Sequence, residues 1–204
     1  PETFNHLFNN PKNGCLECLN TNYYIIRNNT LFVFLDMGDS NTNYGEIFDK
    51  QVEWFRNITK ALKEKYSHII VVAHKSLYGS LNIDSSVTRL ITPLWVKEFD
   101  KANVDLVISG HDHLYSRTKR IYDGNVTNDK GTYYLDLGSS GTKRRVLDDT
   151  TNDALHEKII DILGESILDP DGEINKHLMA KPANFVLSSL FLYILTISSK
   201  ANIT

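Results

Sequence analysis

Apolar and polar positions alternate in distinct ways along the chain, and each way predicts an element. Tyr23–Arg27 and Leu31–Leu35 are short apolar runs separated by Asn28-Asn29, a pair that favours a tight turn, so the two read as a hairpin. The period then lengthens. Phe48, Val52, Phe55, Ile58 and Leu62 recur every three or four residues, which places them on one face of a helix. Ile69–Ala73 is a β-branched run of the kind found in strands covered on both faces. Thr92-Pro93 supplies a helix start, with Leu94, Trp95, Phe99 and Ala102 as its apolar side. Val104–Ile108 is the next strand. Residues 69–108 thus read strand, helix, strand, a βαβ unit with parallel pairing. Two more strands, Arg117–Tyr122 and Thr132–Leu137, flank an Asp123-Gly124 turn. Residues 154–163 fit an amphipathic helix and Asp169–Gly172 a turn.

Composition narrows the class. The 204 residues carry 22 Lys+Arg against 25 Asp+Glu, a net charge of −3, which argues against a nucleic-acid binder. Hydrophobic content of 41% suits a globular core. Two cysteines exclude a disulfide scaffold, and Cys15-Leu-Glu-Cys18 lacks the second pair of a zinc ribbon, leaving a local disulfide or two free thiols. The sequons at Asn28, Asn57, Asn125 and Asn202 are no more than chance supplies in so Asn-rich a chain. No apolar leader is visible near Pro1. From Pro182 to Ser199 there is no charge; this run reads either as a membrane anchor at the lower length limit or as a core helix or strand pair.

The chemistry gathers at two strand ends. His74 follows Ile69–Ala73, and Gly110-His111-Asp112-His113 follows Val104–Ile108, so both reach the same rim, where open α/β sheets bind ligands. Strands about 4.8 Å apart let such imidazoles converge on one ion. Two His at i, i+2 of extended backbone share a side, and Gly110 permits a crowded turn. Gly-His-x-His arises by chance about 0.01 times in this composition. His6, His68, His156 and His177 lack this context and read as surface or structural groups. Asp36 and Asp39 read as loop starters.

Val72-Ala-His74-Lys-Ser-Leu-Tyr78-Gly79, then Val104 through Gly110-His111-Asp-His113 to Arg117, then Gly131-Thr-Tyr-Tyr-Leu-Asp-Leu-Gly-Ser-Ser-Gly141, with Gln51-Val-Glu-Trp54 before them, resembles the calcineurin-like metallophosphoesterases, in their purple acid phosphatase-like branch. The resemblance covers about residues 20–145. It implies a partial four-layer α/β/β/α sandwich and hydrolysis of phosphoesters at two metal ions (Fe, Zn or Mn). His74 and His111 would share one metal, and His113 would hold the other. Tyr78 and Arg117 would orient ligands or substrate, and Lys75, beside His74, reads either as facing phosphate or as a solvated charge. It also favours a secreted or cell-surface setting; the membrane-tether reading rests only on the uncharged residues 182–199. The family's earlier Asp-x-His, Gly-Asp and Gly-Asn-His segments are absent from this sequence. The expectation is therefore the C-terminal portion of such an enzyme, with 1–21 as lead-in, 22–145 as the domain part, 146–181 as a helical or loop extension and 182–204 as an apolar tail. If carboxylates replace the missing ligands, Asp36, Asp39 and Asp112 come first. No second His lies between His74 and His111, so the general acid is unassigned.

Overall fold

The computed structural model describes residues 6–18, 21–37, 44–79, 86–138 and 156–160, with backbone alone for 17, 44–48, 86–90 and 156–160. The hairpin forms as the pattern predicts. Strands β1 (Tyr23–Arg27) and β2 (Thr30–Phe34) pair antiparallel across Asn28 and Asn29, both left-handed at φ 45° and 69°. Two positive φ values are what a two-residue turn needs to match strand twist, and Asn tolerates them.

Helix α1 (Tyr44–Ala61) leads into β3 (His68–Val72), and α2 (Ser86–Ala102) into β4 (Leu106–Ser109). Strands β2, β3 and β4 are parallel neighbours, so the βαβ expectation is met twice in succession. Right-handed crossovers advancing in one direction place both helices on one face, and α1 packs on α2. On that face Leu31, Val33, Ile69, Val71 and Val107 meet Val52, Phe55, Trp95 and Phe99. Phe55 meets Trp95 and Phe99 edge-on at 5.9 and 5.6 Å between ring centroids. Arg56 grips Glu98 through two hydrogen bonds of 2.6 and 2.7 Å, and Lys101 adds a third at 2.9 Å.

The start of α2 differs from expectation. It begins at Ser86, and Pro93 lies inside it, removing one intrahelical hydrogen bond. Thr92 does not cap the helix. Its hydroxyl donates to Leu77 O at 3.1 Å, fastening the helix to the segment after β3. The helix ends on left-handed Asn103 (φ 53°), with Val104 N bonded to Phe99 O, a Schellman closure.

The second half departs further. The expected strand Arg117–Tyr122 is two strands, β5 (Tyr115–Thr118) and β6 (Arg120–Tyr122). β6 turns through Asp123-Gly124 into β7 (Asn125–Thr127), forming a separate two-stranded ribbon. β8 (Tyr133–Leu137) inserts between β4 and β5. Residues 156–160, expected as helix, form β9 (His156–Ile160) and pair antiparallel with β5. Hydrogen bonding to an open sheet edge overrides weak local helical periodicity. The sheet runs β1-β2-β3-β4-β8-β5-β9. With the helices on one face, the described residues supply one helix layer and one sheet of the expected sandwich. Cys15 and Cys18 form a local disulfide. Among the described residues no helix is long and apolar enough to cross a membrane, and residues 182–199, Asp39 and Asp169–Gly172 lie outside them.

Candidate metal centre

Backbone ladders carry the histidines to one rim. The β3–β4 ladder continues past both strands: Ala73 N donates to Ile108 O at 3.0 Å, and Gly110 N to His74 O at 3.1 Å. His74 and His111 are thereby set side by side. Their rings meet edge to face at 5.3 Å, and His111 Nδ1 lies 3.4 Å from His74 Nε2. Burial, the neighbouring His74 and the Lys75 ammonium hold the His111 imidazole below its ordinary pKa, with Asp112 opposing.

The Gly-His-Asp-His segment is not extended. His111 (φ 79°) and His113 (φ 61°) are both left-handed, and Asp112 N bonds back to Gly110 O at 3.0 Å. Gly110-His111-Asp112 is therefore a γ-turn with positive φ at its centre, a strained and uncommon form. The alternation argument for the His pair does not apply here. Nor is Gly110 crowded: a Cβ there would meet nothing nearer than His74 O at 4.0 Å. Strain sits on the histidines themselves.

The remaining candidates are spread out. Lys75 lies close enough to His111 to influence its titration. Tyr78 packs edge-on against Tyr134 at 4.6 Å, and burial, with Asp100 and Asp123 nearby, pushes its hydroxyl up to about 12. Arg117 lies on β5 opposite Leu135, on the face away from Ser116. Asp36 is held by its backbone: Gln51 accepts its N–H at 3.0 Å and donates to its carbonyl at 2.7 Å. Asp112 is 1% exposed and lies against Gly79, where a Cβ would come within 2.1 Å of Oδ2.

Two imidazole nitrogens on one tetrahedral ion stand about 3.3 Å apart, and the His74–His111 separation of 3.4 Å fits that edge. The pair suits one ion as two of its donors. Among the described residues no group of three or more His, Cys, Asp or Glu is placed to hold a metal. The sequence reading missed Asp136, buried on β8 beneath this rim. Its signal was a carboxylate at an interior-facing position of Tyr-Tyr-Leu-Asp-Leu, two residues after buried Tyr134.

A mixed sheet with a parallel centre, helical crossovers and imidazoles at its strand ends defines an α/β fold. The family model for calcineurin-like phosphoesterases matches residues 1–115, and the chain belongs to that family. It is 28% identical over 110 residues to purple acid phosphatase 18 of Arabidopsis thaliana, covering 51% of this chain and 24% of that protein. The chain thus spans about a quarter of that relative's length. It shares its fold with purple acid phosphatase PPD1 from yellow lupin (Lupinus luteus) seeds, at 19% identity and TM-score 0.54, covering 68% of this chain and 26% of that one. A further match is GAP50, the anchor in the inner membrane complex of Plasmodium, at 22% identity and TM-score 0.48, covering 68% of this chain and 42% of that one.

Proposed function

We propose that this chain supplies histidine donors to a metal-dependent phosphoesterase site of the purple acid phosphatase kind. The observation that carries this reading is the His74–His111 pair, 3.4 Å apart on adjacent parallel strand ends. His74 and His111 would hold one ion and His113 its neighbour. Imidazole donors suit Fe, Zn or Mn. A bound metal polarises the phosphoryl oxygen and makes water nucleophilic at mild pH. Lys75, beside His111, attracts the phosphoester dianion and orients it. Arg117 and Tyr78 are carried here on the resemblance alone. The Cys15–Cys18 disulfide supports the reading of a secreted or cell-surface setting, where such bonds persist.

The test is metal content of the 204-residue protein by elemental analysis after dialysis against Fe, Zn or Mn, followed by hydrolysis of an aryl phosphate. Retained metal and turnover, both removed by His111→Ala, support the reading. Turnover unchanged in His111→Ala overturns it. A second reading is a module with this fold and without turnover. It is favoured by the His74–His111 pair having no third donor beside it among the described residues. Metal retained without hydrolysis, or no metal retained, would select it.

A further inference from the structure

By sequence the four Asn-x-Thr sequons are equivalent, but the fold gives those among the described residues different surroundings. Asn28 is a residue of the β1–β2 turn, left-handed at φ 45°. Asn57 lies within α1, and the Thr59 hydroxyl of its sequon donates back to Phe55 O at 2.8 Å. Asn125 opens β7, on the ribbon that stands apart from the main sheet. Asp123 and Gly124, left-handed at φ 48° and 71°, make the two-residue turn before it. That turn sets Tyr122 directly opposite Asn125. Strand alternation then puts Arg120, Tyr122, Asn125 and Thr127 on one face of the ribbon, and the buried Ile121 on the other. Asn125 is exposed, and its Nδ2 donates to Asp123 O at 2.7 Å. Lys130 Nζ lies over the Tyr122 ring, 3.7 Å from its centroid.

We propose that Asn125 is an N-glycosylation site whose first sugar stacks on the ring of Tyr122. The inference rests on the secretory setting proposed above, and on neither the metal nor the turnover. In the modification, Asn125 Nδ2 gives up one proton and forms a bond to C1 of the sugar. The bond from C1 to the phosphate oxygen of a lipid-pyrophosphate oligosaccharide breaks, and the lipid pyrophosphate leaves. The second Nδ2 hydrogen can keep the bond to Asp123 O. Residues directly opposite on antiparallel strands hold their Cβ atoms about 4.5–5.5 Å apart, so a sugar on Asn125 starts beside the Tyr122 ring. One face of N-acetylglucosamine presents C–H groups that are apolar and slightly positive. An aromatic face is apolar and slightly negative, so the two attract and shed water together. Lys130 answers the same attraction from one face of the ring, and the sugar takes the other. Asn28 lies outside the paired register and Asn57 lies on a helix, so no ladder sets a ring opposite either.

The test sends the 204-residue chain, behind a cleavable leader, through the secretory pathway of a eukaryotic host. Enzymatic glycan release in heavy-oxygen water turns each occupied Asn into labelled Asp, which peptide mass spectrometry reads site by site. Asn125 is expected to be occupied in most molecules. An unmodified Asn125, whether or not Asn28, Asn57 or Asn202 is occupied, overturns the proposal. Stacking is read by melting temperature. With glycans trimmed to a single N-acetylglucosamine, the protein should melt about 2–4 °C above its Asn125→Gln variant. In a Tyr122→Thr background that difference should vanish. Each difference is taken within one background, so the loss of the ring itself cancels. An equal difference in both backgrounds, or none with Tyr122 present, overturns the stacking. If Tyr122→Thr is not secreted, Tyr122→Val replaces it, another strand former without a ring, with the same outcomes. The host imposes secretion and neither readout involves metal, so failure here leaves the phosphoesterase reading standing, and metal-free or inactive protein leaves this one standing.

Discussion

The helix-covered half of the sheet and the Gly110–Leu114 connection, an arch from β4 to β5 across the end of β8, solve opposite problems. Around β2, β3 and β4, interior positions are aliphatic, the crossovers are regular and the rings of Phe55, Trp95 and Phe99 interlock. Around β4, β8 and β5 the interior row is Ser109, Asp136 and Ser116, and the connecting backbone is strained at His111 and His113. The first half contributes burial free energy and rigidity. The second spends some of that stability to hold imidazoles in place. Substitutions in the first half should therefore lower stability, and substitutions in the arch should alter metal binding at little cost to folding.

The largest effect is expected at Phe99, fully buried between Phe55 and Trp95. Phe99→Ala should cost about 3–5 kcal/mol, measured by denaturant unfolding. A loss below 1 kcal/mol would erase the contrast.

Glu98 comes next. Its hydrogen bonds to Arg56, and then to Lys101, hold the carboxyl at about 2, below the ordinary 4.5, against the opposing effect of burial. A carboxyl more acidic in the folded state than in the unfolded contributes fully above pH 4.5, and the contribution disappears as pH falls toward 2. Glu98→Gln should cost about 1.5–3 kcal/mol at neutral pH and flatten the stability profile between those limits. A parallel profile for variant and wild type would show that the link between α1 and α2 contributes nothing.

Gly79→Ala sharpens the comparison from the other side. The new Cβ would press on Asp112 Oδ2, costing about 1–3 kcal/mol and displacing the arch. Co2+ affinity should fall more than in a core variant of equal instability, such as Val71→Ala; equal losses would assign the effect to general destabilisation.

The smallest stability effect is expected for His111→Gly. Glycine accepts φ 79° without strain but is more flexible when unfolded, so stability should stay within about 1 kcal/mol of wild type. Co2+ binding should be lost. Destabilisation beyond 2 kcal/mol would mean that the His111 ring, and not the backbone, supports the arch.

Legibility in the sequence follows the same division. The hairpin, α1, β3, β4 and the Asp123-Gly124 turn were readable because local periodicity and turn chemistry agree with the final packing. So was the meeting of His74 and His111 at one rim, since a motif placed after an apolar strand fixes which rim it occupies. The start of α2 was misplaced because Pro93 and Thr92 carry helix-start signals, while Thr92 is used in a tertiary hydrogen bond to Leu77. β9 was read as helix because its partner, β5, is distant in sequence and its pairing leaves no local trace.

By itself the sequence determined the family, the parallel βαβ core and the rim on which His74, His111 and His113 stand. All three follow from short-range patterns: apolar period, turn residues and motif spacing. Tertiary structure alone decided that β8 inserts between β4 and β5. Strand order is set by long-range hydrogen bonding and burial. That insertion makes the Gly110–Leu114 connection, with His111 and His113 in left-handed backbone, cross the end of β8.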